Sequence, residues 1–138
     1  MDRGRGTPTT MSGRERAADA APTGQGRSSC PVACALDLVG DRWTLLVIRD
    51  LLGGRKRYSD LLASGERIPT NILAERLRRL EREGIVERVP YSAHPPRFEY
   101  ALTDEGRGLG RAVDALATWG LTHFPGTVRS IPGREERQ

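Results

Sequence analysis

Between Tyr58 and Leu102 the apolar positions change from a helical to a strand period without a linker between them. Leu61 and Leu62 follow Ser59, whose hydroxyl suits a helix N-cap, and Gly65 ends that short helix. The chain restarts at Ile68-Pro69-Thr70-Asn71, after which Leu73, Leu77 and Leu80 recur as a helical stripe until Gly84. At about 100° per residue, Asn71, Glu75, Arg78 and Arg82 lie opposite that stripe, with Arg79 and Ala74 at its edges. Ile85 to Tyr91 then reads as a strand, and Phe98, Tyr100 and Leu102 alternate with Arg97, Glu99 and Ala101 on a returning one. The tip between them, Ser92-Ala93-His94-Pro95-Pro96, is stiffened by two prolines that cannot extend a sheet.

Upstream, Pro31 starts a helix capped at Cys30, and Asp41 caps a second one that carries Trp43 and ends at Gly53-Gly54. Downstream, a last helix opens at Thr103-Asp104-Glu105, with two acids placed well for the helix dipole. It sets Leu109, Val113, Leu116 and Gly120 near one stripe, with Trp119 beside it. The core is expected from Leu36, Leu38, Val39, Trp43, Leu46, Val47, Leu51, Leu61, Leu73, Leu77, Leu80 and Ile85. The fold class is therefore mainly α with a small β-hairpin (α+β), in one domain over residues 30–124. Residues 1–29, rich in Gly, Ala, Thr, Ser and Arg, read as a disordered tail, and residues 125–138 as a flexible one. A domain this small already has an interior, so a further helix with its own apolar stripe suggests a partner helix from a second copy.

Short helix, turn, arginine-rich helix and hairpin, in that order, read as a winged helix-turn-helix, a device for reading double-stranded DNA. The second helix of such a pair lies in the major groove. There Arg78 can fork onto guanine, Asn71 onto adenine, and Glu75 can accept from cytosine, unless Glu75 instead holds Arg78 or Arg79 in an ion pair. Arg88 and Arg97, flanking the tip, could reach phosphates or a minor groove. Ser59, Thr70, Arg79, Arg82 and His94 complete the candidate DNA-binding set.

The chain resembles the HxlR family of bacterial transcriptional regulators, relatives of the MarR group. The resemblance rests on Cys30-Pro31-Val32, Leu36 to Trp43, Arg57-Tyr58-Ser59-Asp60-Leu61, Leu73 to Val86, Pro95 to Tyr100, Leu102 to Gly106 and Trp119-Gly120. It implies a winged-helix homodimer, joined through its N- and C-terminal helices, that binds operator DNA and usually represses transcription. One departure falls at Ile68-Pro69-Thr70-Asn71, where the family commonly has Ile-Ser. Pro69 has no capping hydroxyl, which leaves Thr70 as the cap and starts the helix a residue late. Cys30 matches the position that some members use to sense oxidants or electrophiles.

Composition agrees with this reading. The 138 residues carry a formal net charge of +4, with a sequence pI near 9.7. From Arg55 to Arg97, ten basic and six acidic residues account for all of that excess. No apolar run approaches the roughly 20 residues of a membrane span, and Met1 to Ser29 lacks the apolar core of a signal peptide, so a cytoplasmic protein without a membrane partner is expected. Cys30 and Cys34 are the only cysteines and fit a reducing compartment; Cys30 is either a sensor or a structural thiol, and Cys34 a small buried residue. With His94 and His123 distant, no zinc spacing, cofactor motif or catalytic constellation is present, and an enzyme is not expected. Trp43 is a core residue or, together with Trp119, a wall of a pocket near the dimer seam for a small-molecule effector. The competing function is a winged-helix module that binds protein or ligand without DNA.

Overall fold

The computed structural model describes residues 28–129. Residues 1–27 and 130–138, which make up most of the two expected tails, lie outside the described residues. The described chain folds as α1 (Pro31–Val39), α2 (Thr44–Leu52), α3 (Tyr58–Leu62), α4 (Thr70–Arg82), β1 (Val86–Ala93), β2 (Pro96–Leu102), α5 (Asp104–Arg107) and α6 (Gly110–His123). This is the expected, mainly helical order with one antiparallel hairpin. The chain divides into two compact units at Gly40 and Asp41, a division inside the span expected for the domain.

In the first unit, Cys30 caps α1 in extended backbone and Pro31 follows as the first helical residue. The Cys30 N–H donates to Ser28 Oγ at 3.0 Å, and the Cys34 thiol donates to the Ser28 carbonyl at 3.3 Å. Val32 and Leu36 are exposed. Leu36 is thus no core residue.

The second unit holds the remaining elements. Ile48, Leu61, Leu73, Leu77, Leu80 and Val86 are almost fully buried. Thr44, Val47, Ile48 and Leu51 form the inward stripe of α2, whereas Leu46 and Trp43 are only half-buried. The stripe runs i, i+3, i+4, i+7 from Thr44, which puts Ile48 inside and turns Leu46 aside. The α2 helix is apolar nearly all round, so its period alone did not choose between them.

Four helix starts differ from expectation. Helix α2 begins at Thr44 with Trp43 at its N-cap, and Asp41 reaches its first N–H groups from two residues further out. Helix α3 is capped at Arg57, whose N–H donates to the Asp60 carboxylate at 3.2 Å, and Ser59 lies inside the first turn. Helix α4 is capped at Pro69 rather than Thr70, without a side-chain cap. Pro69 is extended, φ −63° and ψ 145°, and its carbonyl accepts from the Leu73 N–H at 2.9 Å. Proline's fixed φ suits this position, so the helix is not delayed. The last helix is broken in two. Thr103 caps α5, its hydroxyl oxygen accepting from the Gly106 N–H at 3.1 Å, and α6 restarts at Gly110. Gly106 is buried so close to Ile85 that a Cβ there would lie 2.2 Å from the Ile85 carbonyl oxygen.

The hairpin is longer than its prolines suggested, with Ala93 paired to Pro96 and Pro90 to Phe98 around an irregularity at Tyr91. Both strands of a two-stranded sheet are edges, so prolines can turn their N–H-less side to solvent.

Asp41 joins α2 to α4. Its carboxylate accepts from the Trp43 and Thr44 N–H groups at 3.0 and 3.2 Å, from the Thr44 hydroxyl, and from Arg76 Nε at 2.8 Å. Partial burial pushes the carboxyl up, but the hydrogen bonds from Thr44, Arg76 and Trp43 outweigh it and hold the pKa at about 2, against an ordinary 3.8. Asp41→Ala should lower stability by about 1 kcal/mol at neutral pH, as for a lost N-cap. A pKa depressed by folding gives a contribution complete above about pH 4 and lost as pH falls through about 2. The urea midpoints of wild type and variant should therefore converge on acidification.

Candidate nucleic-acid interface

The turn from α3 to α4 is held from behind by Arg49 of α2. Its guanidinium donates to Asp50 at 2.9 Å, to the Ser64 hydroxyl at 3.3 Å and to Glu66 at 3.3 Å, and both Asp50 and Ser64 are buried. Ile68 is buried too, while Arg67 before it sits at φ +62°. That left-handed residue turns the chain into α4 at a cost of roughly 1 kcal/mol, which the packed turn offsets. From α3, the Tyr58 hydroxyl donates to the Thr70 carbonyl at 2.9 Å and fixes the first turn of α4. Tyr58, Arg49 and Arg76 did not stand out in sequence, because each acts through a contact 12 or more residues away.

With Leu73, Leu77 and Leu80 buried, α4 leaves Thr70, Asn71, Arg78 and Arg82 exposed. Neither Arg78 nor Arg82 makes a hydrogen bond or ion pair among the described residues. Glu75 pairs with its neighbour Arg76. The reason is that Arg76 is already anchored on Asp41 and offers its second nitrogen to the adjacent carboxylate. Arg79 is half-buried at the edge of the stripe, and Ser59 is exposed on α3.

The hairpin is fixed to α4 by Arg88. This side chain lies 4.9 Å over the Phe98 ring and donates from Nε to Glu81 at 3.1 Å, which ties the wing to α4 while about half of the side chain stays exposed. A second tie runs from Arg57, 4.2 Å over the Tyr91 ring and 3.4 Å from Glu99. A third is the Tyr100 N–H, which donates to the Lys56 carbonyl at 2.7 Å. Burial raises the Tyr100 hydroxyl pKa, only partly countered by Arg88, so it stays protonated. At the tip, His94 and Arg97 are exposed, and Arg97 has no ion pair among the described residues.

The two tryptophans have separate partners. Trp43 lies under Arg42, 5.0 Å from its ring, whereas Trp119 is exposed and stacks on His123 with ring centres 3.9 Å apart. Cys30 is exposed and joined in no disulfide among the described residues.

Residues 38–127 match the family model described as HxlR-like helix-turn-helix. The chain belongs to the HxlR-like family. It is 46% identical over 94 residues to the HTH-type transcriptional regulator Rv3095 of Mycobacterium tuberculosis, itself uncharacterised, a match covering 68% of this chain and 59% of the relative. The chain thus spans less than two thirds of its mycobacterial relatives. Among solved structures it is similar to the redox regulator HypR in its reduced form, with TM-score 0.64 and 33% identity over 70% of this chain and 95% of HypR. It is also similar to the reduced transcriptional regulator YodB of Bacillus subtilis, with TM-score 0.59 and 31% identity over 73% of this chain and 100% of YodB. Oxidised HypR and diamide-treated YodB share the fold as well.

In this HxlR-like frame the Tyr58 hydroxyl is a positional tether for α4. Tyr58→Phe should cost about 0.5–1 kcal/mol of stability and speed hydrogen exchange at the Leu73 amide more than in β1, measured by NMR.

Proposed function

We propose that this HxlR-like protein is a homodimeric, sequence-specific DNA-binding regulator that represses transcription and is released by an oxidant or electrophile. The observation that carries this reading is the pair Arg78 and Arg82, exposed and without a hydrogen bond or ion pair among the described residues, on the face of α4 opposite a fully buried stripe. Cations left unpaired on a rigid helix suit base edges and phosphates that bring their own negative charge. Asn71 and Arg78 are the base readers, with Arg79 and Glu75 at the margin of the contact. Ser59, Thr70, Arg82, His94 and Arg97 lie along the backbone, and Arg88 holds the wing.

Dimerisation is supported by α6 and the segment after it, where Leu116, Trp119, Leu121 and Phe124 are 39–56% exposed. So many large apolar groups on one short segment mark a protein contact. A two-fold pair of recognition helices would match a palindromic site. No described helix is long and apolar enough to cross a membrane, and a cytoplasmic site of action fits the reading.

Cys30 is the proposed sensor. It is an exposed thiol at the N-cap of α1, within reach of an oxidant or electrophile in solvent. Two of the similar structures are redox regulators or were treated with diamide. A mixed disulfide there would disturb α1 and the subunit contact it helps to make.

Arg78→Ala should cost about 1–3 kcal/mol of operator affinity and relax specificity at one base pair, read by gel shift over a panel of sites. Arg97→Ala should instead weaken binding to all sequences and lower the salt slope by about one contact. Retention of full affinity by both variants at physiological salt would refute the placement of these elements on DNA. With diamide, DNA binding should fall in wild type and Cys34→Ser but persist in Cys30→Ser. Equal loss in Cys30→Ser would reject the switch.

A further inference from the structure

A cavity of about 300 Å³ lies between the end of α2, the loop that follows it and the hairpin, entirely within the second unit. Leu51, Leu52, Val89 and Leu102 give it an apolar wall. Its charged lining is lopsided, with Arg55, Lys56 and Arg107 against Glu99 alone, and Glu99 is already paired with Arg57.

The three cations differ in what they have left to offer. Arg107 is engaged by the Leu102 carbonyl at 2.8 Å and by Asp104. Arg55 donates from one terminal nitrogen to the Asp60 carbonyl at 2.8 Å, while its buried Nε–H has no acceptor among the described residues. Buried N–H groups are seldom left so. Lys56, the only lysine of the chain, makes no side-chain hydrogen bond or ion pair among the described residues. A lysine and an arginine edge without acceptors, set beside an apolar wall, call for a ligand with one anionic end and one apolar end.

We propose that this cavity binds a small amphipathic carboxylate, with an aromatic or branched aliphatic body against Leu51, Leu52 and Val89 and its oxygens toward Lys56 and Arg55. A DNA phosphate would satisfy the same cations but would leave the apolar wall bare. The site rests on the fold alone and needs no operator.

The test is calorimetric titration of the full chain, free of DNA, with 2-naphthoate, its neutral amide 2-naphthamide and inorganic phosphate. Naphthoate should bind, and the amide and phosphate should each bind about tenfold or more weakly. In NMR spectra the shifts should centre on the amides of Lys56, Ala101 and Leu102. Lys56→Gln should weaken naphthoate binding about tenfold, and Leu52→Asp, at a partly exposed position, should abolish it, each with an unchanged circular dichroism spectrum. Absence of naphthoate binding overturns the proposal. So do amide or phosphate binding as tightly as naphthoate, shifts centred elsewhere, and affinity unchanged in Lys56→Gln.

Discussion

The bond between Asp41 and Arg76 is the constraint on which the exposed surface depends. One carboxylate satisfies the N–H groups that open α2 and, at 2.8 Å, grips the guanidinium midway along α4. Leucine burial alone would press α4 against the core but leave its rotation and sliding loosely defined, since dispersion contacts are non-directional. A charge-assisted hydrogen bond has direction. It fixes which side of α4 faces outward, and so which arginines are presented.

The ties of the hairpin extend the same logic. Arg88 on Glu81 and Arg57 on Glu99 and Tyr91 engage cations in surface ties, and Arg49 does so behind the turn. The local excess of positive charge is thus divided between scaffold and surface. Net charge reports their sum and says nothing of the division.

Element order was legible because α4 and the hairpin have clean periods: Leu73, Leu77 and Leu80 at helical spacing, and Phe98, Tyr100 and Leu102 at strand spacing. Helix starts were less legible. Ser59 and Thr70 carry hydroxyls that cap well in general, yet Asp60 fixes the start of α3 by accepting the Arg57 N–H, and α4 starts from the fixed φ of Pro69 without a side-chain cap. The break between α5 and α6 was hidden because α5 approaches Ile85 too closely for any side chain at Gly106, a tertiary fact. Among the candidate site residues, exposure of Asn71, Arg78 and Arg97 followed from local pattern. The engagement of Arg88 and Glu75 did not, because it depends on Glu81 and on an arginine that Asp41 had already oriented.

The hairpin has a consequence for solution behaviour. A two-stranded sheet has no interior strand, so its flanks present backbone donors and acceptors for pairing with another molecule, apart from the Tyr100 N–H already given to the Lys56 carbonyl. Pro90 removes a donor from β1, the irregularity at Tyr91 twists that flank, and Pro96 opens β2 without an N–H. The same residues that stiffen the tip make it a poor template for a third strand. The wing can therefore project from the protein at high concentration without seeding edge-to-edge aggregation.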